Sequence, residues 1–437
     1  MNRIFKAVWN ESTGTWVAAS ETSKSKTKRS SARKLVIVQA VMVGGFLAGS
    51  AAHVQAADPW VAAGDNNFTD SVAAGATAWA LGDQATAIGS GALAFKDSIA
   101  VGYNSTANLE NAVAVGANSF AGPNAMAVGT GSHATTASMA IGNNASSDGA
   151  QSTAVGENSM ASASGATAVG ASAMAQGANS VAAGKFSTAT GVNSVALGMN
   201  AISADNAVAV GPTAAATADN AAAIGTNARA SGVDSIAFGN SALASGAQST
   251  AVGANAMASV DGATAVGNSA VAQGANSVAA GKLSTAAGVN SVAVGMNSIS
   301  ADNAVAVGPA AAATADNAAA IGTNARASGV DSIAFGNTAL ASGAQSTAVG
   351  ANAMASVDGA TAVGNSAVAQ GANSVAAGKF STAAGVNSVA VGMNAISADN
   401  AVAVGFAAAS AENAAAIGTN ARAIGVDSIA FGNSASA

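Results

Sequence analysis

The chain has 437 residues, half of them hydrophobic but only 4% aromatic and 8% charged, with four Pro and no Cys. That composition excludes a disulfide framework, thiolate metal sites, a Pro-rich linker and a core of bulky side chains, while its apolar share is too high for simple disorder. The net charge of −6 conceals an asymmetry: residues 1–56 hold eight of the 15 basic residues and two of the 21 acids, so the rest carries −12 and offers no footprint for nucleic acid or an anionic membrane.

The first predicted element is a processing segment. A basic run, "KSKTKRSSARK" (residues 24–34), precedes the apolar stretch Leu35–Ala52 and then "HVQAAD", whose small Val54 and Ala56 suit cleavage between Ala56 and Ala57. This pattern describes a secretory signal rather than a membrane anchor. Upstream, "MNRIFKAVWNESTGTWVAASE" is unusual for a signal peptide, with its Met-Asn-basic start and the pair Trp9 and Trp16. It resembles the extended signal region of type V autotransporters. Residues 57–69 read as a short linker.

From Asp70 to the end the sequence repeats. Phrases such as "NSVALG", "NAVAVG" and "DSIAFG" each end in glycine, and Gly142, Gly156, Gly170, Gly184 and Gly198 follow one another at 14 residues, with a single 13 to Gly211. The same register reaches back to Gly89 and forward to Gly432. A longer period of 97 residues links Gly198, Gly295 and Gly392, and equals seven coils, six of 14 residues and one of 13. Short periods sustained over most of a chain predict a solenoid. Fourteen residues hold two short strands and two turns. Each glycine supplies a turn, and the Asn often two residues later (Asn118, Asn158, Asn227, Asn255) tolerates a left-handed backbone. No helix start or stop signal occurs in any coil.

Period-two alternation assigns the faces. Two residues before each glycine lies Ala154, Ala168, Ala182, Ala196, Ala209 or Ala223, and four before it a small residue such as Ser180, Ser194 or Ser235. After the glycine, the third and fifth residues are small as well, as in Ser187 and Ala189. Two strands back to back enclose a thin interior, so these small faces must meet there. The first and third residues back are Val, Ile, Leu or Phe: Val113 and Val115, Val195 and Leu197, Val208 and Val210, Ile236 and Phe238, Val292 and Val294, Val305 and Val307. They are left outside, as a stripe roughly 120 Å long at ~4.8 Å per coil. A stripe of that size marks an interface, and covering two such side chains per coil at ~25 cal/mol per Å2 contributes several tens of kcal/mol before entropy is subtracted. The fourth residue after the glycine varies freely and reads as solvent-facing. There Trp79, Phe120, Met160 and Met174 form a candidate ligand face.

The repeat resembles the head of trimeric autotransporter adhesins of the YadA-like, Hep/Hag type. The resemblance implies an all-β fold, a left-handed parallel β-roll of about 14 residues per coil, assembling as a homotrimer. The apolar stripe then becomes the trimer interface. It also implies adhesion to collagen-like matrix proteins or host cells, autoagglutination, and display at the outer membrane through a stalk and barrel anchor. The sequence ends at "FGNSASA" with neither heptads nor anchor strands, which reads as a fragment or a truncated gene.

No motif points to catalysis, a cofactor or a metal. His133 sits at a variable outward position without partners at ligand spacing and reads as solvated surface. Asp205, Asp302 and Asp399, and Asp234 and Asp331, recur 97 residues apart as turn residues, too far apart to act as paired carboxylates. Lys185, Lys282 and Lys379 follow equivalent glycines and read as solubilising charges. The rival reading of an ice-binding solenoid predicts flat arrays of Thr, whereas the outward positions mix Met, Arg, Leu and Thr. A solenoid lyase would need clustered charges in a groove.

Overall fold

In a computed structural model the described residues are 5–10, 15–20 and 70–437. The basic run, the apolar stretch, the expected cleavage at Ala56 and Ala57 and the 57–69 linker lie outside them. Strands β1 (Phe5–Asn10) and β2 (Thr15–Ser20) pair antiparallel, with Trp9 opposite Trp16.

From residue 70 onward one coil is repeated. Strand β15 (Thr153–Val155) enters the first turn at Gly156, β16 (Met160–Ala161) returns, and a second turn leads to β17 (Thr167–Val169). Strands that precede a glycine pair in parallel with those one coil away, from β3 (Val72–Ala74) to β55 (Ile429–Phe431). Strands that follow a glycine do the same, from β4 (Trp79–Leu81) to β54 (Arg422–Ala423). The two ladders hold 27 and 26 strands and form a parallel β-solenoid, without helix among the described residues. At ~4.8 Å per strand the rod is about 125 Å long.

Equivalent residues stack in register: Val195 pairs with Val208, Ala196 with Ala209, Leu197 with Val210. The 13-residue coil preserves that register by shortening the second turn, Ala204–Asn206 standing where the previous coil has Thr190–Asn193. Each phrase glycine has positive φ, +132° at Gly198, and the next lies directly above it: a Cβ on Gly198 would meet the Gly211 carbonyl oxygen at 2.5 Å. Conformation and space both demand glycine here.

Four small residues per coil face inward. Ala154, Ala168, Ala182, Ala196, Ala209 and Ala223 have no exposed surface, and neither do Ser180, Ser194 and Ser235 or Ser187 and Ala189. The interior is a file of Ala and Ser running the length of the rod. Every bulkier aliphatic is consequently displaced to the outside.

Candidate interaction surfaces

Two outward ladders follow from this packing. On the first, Val113, Val115, Val195, Val208, Val210, Val292, Val305 and Val307 are half-buried, and Leu197, Ile236, Phe238 and Val294 are exposed. Their own subunit covers their flanks through the stacked neighbours above and below, and leaves the outer surface open; Phe238, between Ile224 and Val252 in its ladder, is 53% exposed.

The second ladder joins Trp79, Leu93, Thr106, Phe120, His133, Ser146, Met160 and Met174 in one unbroken series of paired rungs. Trp79, Phe120, Met160 and Met174 are half-buried rather than fully solvated, since each is flanked by the side chain one coil away. His133 departs furthest from its sequence reading. Its ring stacks on Phe120 with centroids 4.9 Å apart, and its Nδ1 lies 2.9 Å from Asp148 Oδ1. Ser146 donates to both oxygens of the same carboxylate at 2.9 Å. The partners lie in adjacent coils, so no local motif announces them.

The turns hold bonds that the spacing did not reveal. The Asn that opens each phrase is itself left-handed (Asn193, φ +53°), and successive Asn side chains bond along the rod, Asn179 to Asn193 at 3.4 Å and Asn193 to Asn206 at 3.2 Å. The recurring acids have structural work: Oδ1 of Asp205, Asp302 and Asp399 accepts the backbone N–H of Val192, Val289 and Val386, each at 2.8 Å. Lys96 reaches Glu110 one coil on at 3.2 Å and Asp97 at 3.4 Å, and these bonds, Glu110 first, raise its pKa above the ordinary lysine value. Among the described residues no group of three or more acidic or His side chains is placed to hold a metal ion.

Comparison with known proteins follows the same division of the chain. Residues 1–50 match the family described as the extended signal peptide of the type V secretion system. Segments from 69–92 to 409–435 match the YadA head domain repeat and together cover most of the chain. Over 94 residues the chain is 38% identical to the autotransporter adhesin EhaG of Escherichia coli O157:H7, a stretch that is 22% of this chain and 5% of EhaG. A solved structure, the collagen-binding domain of the Yersinia adhesin YadA, is 31% identical over 31% of this chain and 68% of that one, with a TM-score of 0.26.

Proposed function

The chain belongs to the YadA head repeat family, and on that premise we propose that it is the multivalent head of a surface adhesin. It is exported to the cell surface or outer membrane under a type V secretion signal at residues 1–50. In this reading three left-handed rolls pack around a common axis through the first ladder, with Val195, Leu197, Val208 and Val210 among the contacts. The head occupies residues 70–437, and the signal is removed after Ala56.

The observation that carries the proposal is the interior of Ala and Ser, which forces continuous apolar ladders onto two outer surfaces. One ladder meets sister chains and the other is free for a ligand. Matrix proteins of the collagen type, host-cell surfaces and neighbouring heads are the partners the family implies. Repetition along three chains turns weak single contacts into strong attachment through effective concentration. The recurring acids serve as turn caps, so the reading is of a binding protein rather than an enzyme.

Changing Trp79, Phe120, Met160 and Met174 together to Ser tests the ligand face. Attachment of displaying cells to collagen-coated surfaces is expected to fall while the amount of exported head is unchanged. Undiminished attachment would remove this ladder from the binding role.

A further inference from the structure

In every first turn the second residue after the glycine has positive φ, and it is ordinarily Asn, Ser, Thr, Ala or Gly. Three turns, 97 residues apart, depart from this: Phe186 (φ +59°), Leu283 (+58°) and Phe380 (+59°). A bulky L-residue is disfavoured there, and these side chains remain about half exposed, so burial offsets little of the strain. Each follows an exposed lysine. Lys185 Nζ lies 5.0 Å from the centre of the Phe186 ring, and Lys379 Nζ 4.9 Å from that of Phe380. Exposed Met199, Met296 and Met393 adjoin them in the next first turn. The result is three knobs, each a cation over an apolar base, on one edge of the rod.

The opposite edge has a matching feature. In consecutive second turns Val192, Asp205, Asp219 and Val233 stand one above another, with both valines exposed. Asp205 is engaged by a backbone N–H, whereas the exposed Asp219 carboxylate makes no hydrogen bond among the described residues. The arrangement recurs at Asp316 and Glu412. Acid framed by apolar surface complements a cation on an apolar base. Knobs and acidic turns share one period of seven coils, about 34 Å.

We propose that the lysine knobs of one rod dock on the acidic second turns of a second copy of this chain lying parallel beside it, displaced by about two coils, or ~10 Å. One alignment then brings all three knobs onto three acidic turns. The contact joins unlike edges, so every rod retains a free edge of each kind and the association extends into open lateral arrays instead of closing. The inference deepens the reading of head-to-head association and rests on it.

Two variants of the full chain test it: Lys185→Glu with Lys282→Glu and Lys379→Glu, and Asp219→Lys with Asp316→Lys and Glu412→Lys. All six side chains are exposed, so the melting curves are expected to match the parent. In sedimentation at low salt the parent should form assemblies beyond its basic oligomer that dissolve as salt is raised. Each variant alone should lose those assemblies, and mixing the two should restore them. Assemblies retained by either variant, a mixture that fails to recover them, a parent that forms none, or loss of the basic oligomer itself would overturn the docking. The mass of the basic oligomer, read from the same run, bears separately on the trimer.

Discussion

Gly198 and Ser180 show how narrowly single positions are constrained. At Gly198 a side chain faces both a φ of +132° and the carbonyl oxygen of Gly211. Gly198→Ala is therefore expected to destabilise the rod by about 1–3 kcal/mol through backbone strain alone, read as a lower melting temperature. The interior serines divide in two. Ser187 Oγ donates to the Gly184 carbonyl at 2.8 Å, while Ser180 Oγ is buried without a partner. Ser187→Ala should lose about 1 kcal/mol, and Ser180→Ala should be neutral or stabilising by up to about 1 kcal/mol. Equal losses at the two sites would contradict this account of the interior. The glycine's turn could be read from spacing; the unbonded hydroxyl could not, because it depends on the rotamer available between two sheets.

A coil holds together because small faces meet across it. Ala196 lies between Ala182 and Ala209 in its ladder and has no exposed surface. Ala196→Leu forces the two strands of the coil apart and is expected to destabilise by about 1–3 kcal/mol or more, measured by chemical denaturation. Met160→Leu, at an outward rung, should change stability little. Strand and turn positions were legible in the alternation of small and branched residues. The link from His133 to Asp148 was not, since it joins different coils and repeats nowhere else in the chain. The same holds for Phe186: its identity was plain in the sequence, while its left-handed backbone and outward ring became visible only in the folded turn.

At the scale of the whole molecule the rod is a one-dimensional stack in which each coil touches only its neighbours. Deleting residues 199–295 would place Met296 after Gly198, the same junction that Gly295 and Met296 make in the intact chain. The product should lose seven coils, about 34 Å, melt close to the parent temperature, and sediment at three times the mass of the shortened chain. A monomer would contradict the proposed assembly. A large fall in melting temperature would contradict the nearest-neighbour picture.

By itself the sequence determined the solenoid, because a strict 14-residue period with glycine at each turn and alternating side-chain size leaves one way to stack the chain. It also determined that residues two and four before each glycine are small, as a thin interior requires. The tertiary structure decided what depends on which coils become neighbours: the asparagine ladder, the Asp205 cap on Val192, the stacking of His133 on Phe120, and the half-burial of Met160 and Met174. Those contacts arise between residues 13 to 15 apart that are brought within a strand spacing of each other. A periodic sequence specifies that proximity for every residue alike and singles out none of them.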